Sequence, residues 1–266
     1  MKVTCVEWPD GLVAGSPVWQ SLLEGIVAEQ SDLLITNEMP FGPWLASAPC
    51  FDAGQAQRSI DLHAAGLEAL VGTGIPMVIS SRPVWEGDRL ANEAVVIRDG
   101  HVEPLHRKQF FPDEPGWYEA KWFKTSQRDF TAKALGPVSV GMLLCTEAMF
   151  NEHARSYGVQ GAGLIALPRA TGTSQRIWQT AGAMAAIASG AYVISSNRVG
   201  GGPDGPVFGG GCFAYAPDGE LIGTTNHERP FFTVEVDPAR AAAQQRDGYP
   251  CYVARAAAEF ADWRKA

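Results

Sequence analysis

The sequence predicts an α/β protein, a sandwich with helices outside two packed sheets. Short runs of apolar and β-branched residues alternate with segments whose apolar positions recur at helical spacing. Their order is strand, helix, strand, helix, several strands, helix, strand, helix, strands. Hydrophobic residues make up 46% and charged residues 19% of 266, enough for one sizeable core. No repeat, low-complexity stretch or linker interrupts the chain, so residues 1–266 are expected to form a single domain.

Lys2 to Glu7 alternates apolar and polar residues and reads as a strand ending near Trp8-Pro9. Val18 to Gln30 has helical periodicity, and Asp32 to Thr36 is a short buried-type strand that delivers Glu38. Met39 to Asp52, with three prolines and Trp44, is a loop suited to a pocket wall. Ser59 to Val71 reads as a helix and Met77 to Ser81 as a strand. Ala91 to Ile97 and His101 to His106 form a hairpin through Asp99-Gly100, and the hairpin runs into Lys108. Asp113 to Phe130 is a long aromatic-rich connection holding Trp117 and Glu119, and connections of that length are often functional.

Val138 to Leu144 is an apolar, small-residue strand that ends at Cys145, with Glu147 two places on and a helix from Asn151 to Gln160. Gly163 to Pro168 is a further strand leading to Arg169, Ser174 to Ser189 a second long helix, and Ala191 to Ser196 a strand ending at Asn197-Arg198. Gly209 to Thr225 reads as a hairpin through Pro217-Asp218-Gly219, and Phe231 to Val236 as the last strand. Residues 237–266 are an Ala/Arg-rich tail with one helix.

A net charge of -8 argues against a phosphate-binding surface, so no nucleic acid partner is expected. The longest weakly polar run, Ala181 to Ser196, is broken by Gly182 and Gly190 and is too short to span a membrane. The first residues enter a strand pattern without the layout of a signal peptide. Five scattered cysteines without a C-x-x-C pair suit a reducing compartment, and a cytoplasmic location is expected. The five histidines form no metal-ligand pair at helical spacing; neither metal nor cofactor is expected.

Four reactive side chains stand at comparable places: Glu38, Lys108 and Cys145 after strands, and Glu119 in the aromatic connection. Loops at the carboxyl ends of strands hold groups over a rigid sheet, where a thiol can serve as a nucleophile. A buried cysteine is otherwise a small hydrophobe, and a carboxylate at a strand end is often a helix cap.

The ordered set of blocks around these residues resembles the nitrilase superfamily of carbon–nitrogen hydrolases. Leu33 to Pro40 is similar to its glutamate block, Asn92 to Ile97 with His106-Arg107-Lys108 to its lysine block, Glu119 to Phe123 to the segment of its second glutamate, and Gly141 to Glu147 to its cysteine block. Ser195 to Gly200, Phe208 to Cys212 and Ala216 to Glu220 resemble its later landmarks. The resemblance implies an α-β-β-α sandwich paired through its helical face into a homodimer or higher homo-oligomer, with the 237–266 tail packing on the partner.

It further implies an amidase that opens a non-peptide C–N bond of a small amide. Glu38 would act as general base and Cys145 as nucleophile. Lys108 and the backbone N–H of Thr146 would hold the oxyanion, and Glu119 would hold Lys108 or the substrate amine. A Cys–His couple of Cys145 with His153 or His106 is the rival, and His153 lies about two helical turns downstream. Thr146 stands where nitrile-cleaving members often carry tryptophan, and the chain is short for such members, so amide or carbamoyl substrates are favoured over nitriles. Trp44, Phe111, Trp117 and Trp122 are candidate pocket walls, with plain core as the alternative. Glu147 is either a substrate contact or a helix-initiating or dimer-facing carboxylate. Arg169 either reads a substrate carboxylate or makes a surface or dimer salt bridge.

Overall fold

The computed structural model describes residues 1–125, 129–202, 205–226 and 228–248. In chain order the elements are β1 (Lys2–Pro9), α1 (Pro17–Ala28), β2 (Leu33–Ile35), α2 (Ala53–Val71), β3 (Met77–Glu86), β4 (Arg89–Arg98), β5 (His101–Arg107) and α3 (Glu119–Trp122). There follow β6 (Lys133–Leu135), β7 (Val138–Met142), α4 (Asn151–Val159), β8 (Leu164–Ala166), α5 (Gln175–Ser189), β9 (Tyr192–Ser195) and β10 (Asn197–Gly200). The last are β11 (Phe208–Gly209), β12 (Phe213–Tyr215), β13 (Leu221–Thr224), β14 (Phe231–Glu235) and α6 (Pro238–Asp247).

One sheet runs β11-β10-β1-β2-β3-β4-β5, with β14 also paired to β1; the other runs β13-β12-β9-β8-β7-β6. Strand parity explains how they stack. Leu33 and Ile35 face the second sheet, where they meet Val140, Met142, Leu164 and Ile194. Between them in sequence, Leu34 faces outward and packs with Trp8, Ile26, Leu67 and Leu70 under α1 and α2. On the far side, Ile165 and Val193 pack with Tyr157, Ala181 and Ala185 of α4 and α5. The result is the expected α-β-β-α sandwich.

Several bounds differ from the sequence reading. Helix α2 starts at Ala53, because the Asp52 side chain accepts the Gln55 N–H and caps it there. Strand β3 runs on to Glu86 because it pairs with β4 along its whole length. The 113–130 connection holds the short helix α3, and its residues 126–128 lie outside the described residues.

The start of the tail is described. Helix α6 lies on its own chain: Ala241 enters the core between the sheets, and Gln245 donates to the carbonyls of Ala162 (2.7 Å) and Ser189 (3.1 Å). The rest of the tail, 249–266, lies outside the described residues.

The loop after β2 is held from below by His63. Its Nδ1 lies 2.7 Å from the Ser59 carbonyl, and its Nε2 accepts the Phe41 N–H at 3.3 Å. That pairing assigns a neutral ring with the proton on Nδ1. Gly66 lets Phe41 sit this close, since a Cβ there would lie 2.3 Å from the ring. Burial lowers the His63 pKa from 6.5 to about 4. A depressed pKa contributes stability that is present above the unfolded value and is lost as pH falls through the folded one. Between pH 6.5 and 4 the protein should therefore lose roughly 3 kcal/mol through this side chain. Urea unfolding at a series of pH values checks this: His63→Gln should flatten the slope in that window, and an unchanged slope would contradict the assignment.

Candidate active site

Three strand ends and one loop converge at the carboxyl edge of the sandwich. The chain leaves β2 through Thr36, whose N–H donates to Ile79, and turns at Met39, which holds φ at 41° with its N–H on Ser81 Oγ at 2.8 Å. Glu38 is carried between them, fully buried. The Lys108 N–H donates to the Asn92 carbonyl at 2.9 Å, which continues the β4–β5 ladder one step beyond β5. Helix α3 brings in Glu119 on its first turn.

The Lys108 ammonium joins the set. Its Nζ donates to Glu38 Oε1 at 2.8 Å and to Glu119 Oε2 at 2.6 Å, with all three side chains out of solvent. Asn92 Nδ2 donates to the same Glu38 oxygen at 2.7 Å. The other oxygens, Glu38 Oε2 and Glu119 Oε1, are buried with no hydrogen-bond partner among the described residues. Burial would lower the Lys108 pKa, but the charges of Glu119, Glu38 and Cys145 outweigh it and hold the ammonium protonated. Burial, with the negative charge of Glu38 adding to it, keeps the Glu119 carboxyl well above the ordinary carboxylate range despite Lys108.

Cys145 sits where β7 breaks into a single turn of 3₁₀ helix, Cys145–Met149. Its φ is 52°, a left-handed conformation rare for a non-glycine residue and often kept at working sites. Its N–H donates to the Pro168 carbonyl at 3.0 Å, and its Sγ lies 3.9 Å from the Ala170 carbonyl. Burial and the Glu38 charge push the thiol pKa up, against a smaller pull from Lys108. The thiol therefore keeps its proton until a base removes it. The Thr146 hydroxyl donates to the Phe110 carbonyl at 2.7 Å, tying this turn to the lysine segment and leaving the Thr146 backbone N–H beside the sulfur's own residue.

Two further candidates, Glu147 and Arg169, are held by partners within the chain. Glu147 is fully buried. Its oxygens accept from His106 Nε2 at 2.9 Å, the Gln109 N–H at 2.7 Å and the Leu144 N–H at 2.8 Å. It braces the lysine segment against the cysteine turn, and its helix-initiating role matches one of the readings from sequence. Among the described residues, the surface salt bridge expected for Arg169 is not made. Arg169 is buried and donates to Ser195 Oγ (2.6 Å), Thr171 Oγ1 (3.2 Å) and the Gly211 carbonyl (2.7 Å).

The rival Cys–His couple has no geometric support. His106 is engaged by Glu147, and the His153 ring stacks on Phe130 at 3.6 Å. Arg198 donates to Asp10 and to the carbonyls of Met39 and Gly42, pinning the Glu38 loop.

The aromatic candidates Trp44, Phe111, Trp117 and Trp122 all belong to one apolar cluster with Phe208 and Ala170, and the Ala170 carbonyl faces Cys145 Sγ. Trp44, Trp117 and Phe208 pack with centroids 5.3 to 6.1 Å apart. Trp122 is core, its indole N–H on the Ala48 carbonyl. A cavity of about 510 Å³ is lined by Trp117, Tyr118, Gly172, Thr173, Pro206 and Val207, among others, bordering the segments that carry Glu119 and Ala170. Sequence reasoning missed Asn92 and Phe208 as site residues, although both begin blocks that the family resemblance quotes. Among the described residues, no group of three His, Cys, Asp or Glu could hold a metal, and no helix is long and apolar enough to cross a membrane.

Fold and constellation together define a nitrilase-type sandwich whose buried edge gathers a thiol, an ammonium and two carboxyls. The carbon–nitrogen hydrolase family model matches residues 13–246, and the chain belongs to that family. It is 28% identical to N-carbamoylputrescine amidase of Oryza sativa subsp. japonica over 148 residues, 50% of this chain and 49% of that protein. The chain thus spans about half the length of such curated relatives. It is 25% identical over 234 residues to the (R)-stereoselective amidase of Pseudomonas sp, covering 83% of this chain and 78% of that one. The fold matches the carbon–nitrogen hydrolase from Helicobacter pylori G27 with a TM-score of 0.87 at 21% identity, over 99% and 98% of the two chains.

Proposed function

We propose that the protein is an amidase that hydrolyses a small amide through a thioester on Cys145, and that Glu38, Lys108 and Glu119 assist. The observation that carries this reading is the placement of one buried ammonium on both carboxyls, with the charges of all three acting on the Cys145 thiol.

The chemistry follows from that arrangement. A protonated thiol is a poor nucleophile, so Glu38 accepts its proton as the sulfur attacks the amide carbon. The carbonyl oxygen becomes an oxyanion, held by a Lys108 N–H and the Thr146 backbone N–H. As the tetrahedral adduct collapses, the leaving nitrogen takes a proton back from Glu38 and departs as ammonia or an amine. Water, deprotonated by Glu38, then adds to the thioester, and the acid leaves as Cys145 regains its proton. The unpartnered Glu38 and Glu119 oxygens supply acceptors for the substrate N–H groups, a role suited to a site built for amides. The relatives named as amidases and the threonine at 146 favour amide or N-carbamoyl substrates over nitriles.

The test is ammonia release across short amides, ω-amides, N-carbamoyl amines and nitriles. Turnover is expected with at least one amide or N-carbamoyl amine, lost in Glu38→Gln. Binding without turnover across the whole panel would favour the alternative of an inert binding subunit on the same fold, and turnover confined to nitriles would reject the amidase reading.

A further inference from the structure

Pro168, Arg169 and Ala170, one residue beyond the end of β8, form a junction that the mechanism above does not use. The Pro168 carbonyl accepts the Cys145 N–H at 3.0 Å, and the Ala170 carbonyl lies 3.9 Å from Cys145 Sγ. Between them, the Arg169 carbonyl accepts the N–H groups of Glu38 (3.2 Å) and Arg198 (3.2 Å). Three consecutive carbonyls therefore touch the nucleophile and the main chain of the base. The junction also spans the two sheets, since the Arg169 N–H donates to Ser196 between β9 and β10.

The Arg169 side chain anchors that junction. A buried guanidinium ordinarily takes a carboxylate partner. Here its three bonds go to neutral oxygens on three separate pieces of chain: Ser195 at the end of β9, Thr171, and Gly211 in the turn before β12. Its plane lies 4.7 Å from the Phe213 ring and 5.7 Å from that of Trp178. Burial lowers its pKa to about 10, so it stays charged at neutral pH. Gly211 closes the frame, for its N–H donates to the buried Glu7 carboxylate at 2.6 Å while its carbonyl accepts from Arg169.

We propose that Arg169 is a positioning residue: its three-way fork fixes the 168–170 backbone, and through it the alignment of the Cys145 sulfur with the Glu38 carboxyl. The assignment rests on the thioester reading above. The planar fork matters here, because a lysine keeps the charge but cannot reach three acceptors in fixed directions. A shift of the order of 1 Å in reacting groups costs ~10² in rate.

The experiment compares Arg169→Lys and Arg169→Ala with the unaltered protein. It reads the rate of Cys145 carbamidomethylation by iodoacetamide, kcat and KM for the best amide of the panel, and near-UV circular dichroism. The expected result is a fall of ~10² in both alkylation rate and kcat for either variant. KM and the dichroism should be unchanged, and millimolar guanidinium should restore part of both rates in Arg169→Ala. A folded Arg169→Lys protein with the original kcat and alkylation rate overturns the proposal, as does a loss confined to KM. If neither variant keeps its native dichroism, Arg169 is a stability residue and the positioning role is rejected. A protein that alkylates rapidly at Cys145 yet turns over no amide would sink the amidase reading alone, and the alkylation rates would still judge Arg169.

Discussion

Lys108→Met should lower turnover by ~10²–10³ and cost roughly 3–5 kcal/mol of stability at neutral pH. Both effects come from one nitrogen. In the proposed reaction its N–H is one of two donors to the oxyanion, and methionine offers none. In the resting protein the same ammonium separates Glu38 and Glu119, each within hydrogen-bond reach of Nζ and shielded from water. Removing it leaves two carboxyls facing each other in a dry site, where one proton must be shared.

The sign of the pH dependence follows. Without Lys108 the Glu119 carboxyl, already raised above 4.5 by burial and the Glu38 charge, rises further. Raised pKa values give stability that is complete below the unfolded pKa and is lost as pH climbs through the folded ones. The melting temperature of Lys108→Met should therefore lie near that of the unaltered protein at about pH 4.5 and fall behind by on the order of 10 °C at neutral pH. Thermal unfolding at three pH values measures this, and a deficit independent of pH would show that lost packing dominates.

Cys145→Ala should abolish amide turnover while moving the melting temperature by no more than ~2 °C. Alanine carries the same Cβ as cysteine, so the φ of 52° is strained to the same degree in both. The thiol makes one weak contact, to the Ala170 carbonyl, and the Glu38–Lys108–Glu119 set stays bonded without it. What disappears is the nucleophile. Iodoacetamide, itself a primary amide, offers a second check: Cys145 should be alkylated faster than Cys5 and Cys212, which are also buried but have no carboxylate base proposed for them. Glu38→Gln should remove that advantage, because the raised thiol pKa leaves almost no thiolate until a base acts. Undiminished turnover by Cys145→Ala would eliminate the mechanism.

Much of the architecture was legible locally. The apolar runs that became β2, β7 and β8 have strand-like composition, and β2 and β7 lead to Glu38 and Cys145. Alternation along β2 shows how one strand serves two cores, with Leu33 and Ile35 toward one and Leu34 toward the other. What the linear reading lacked has a common cause. Glu147 and Arg169 are charged side chains near Cys145 in sequence or space, and their protein partners are not visible from their neighbours in sequence. Besides Leu144 and Thr171 nearby, their partners are 26 to 42 residues away: Glu147 reaches His106 and Gln109, and Arg169 reaches Ser195 and Gly211. Asn92 escaped notice for the same reason, since its role exists only through a contact with Glu38, 54 residues earlier.

By itself, then, the sequence determined the layered α/β class, the residue types at the strand ends and the identities of the thiol, the ammonium and the two carboxyls, because strand and helix periodicity and block order are properties of neighbouring residues. Only the tertiary structure decided which charged groups meet: Lys108 with Glu38 and Glu119, Glu147 with His106, and Arg169 with neutral oxygens. Those pairings depend on burial and on partners brought together across the two sheets, where a charge must be paired or bonded to be tolerated at all.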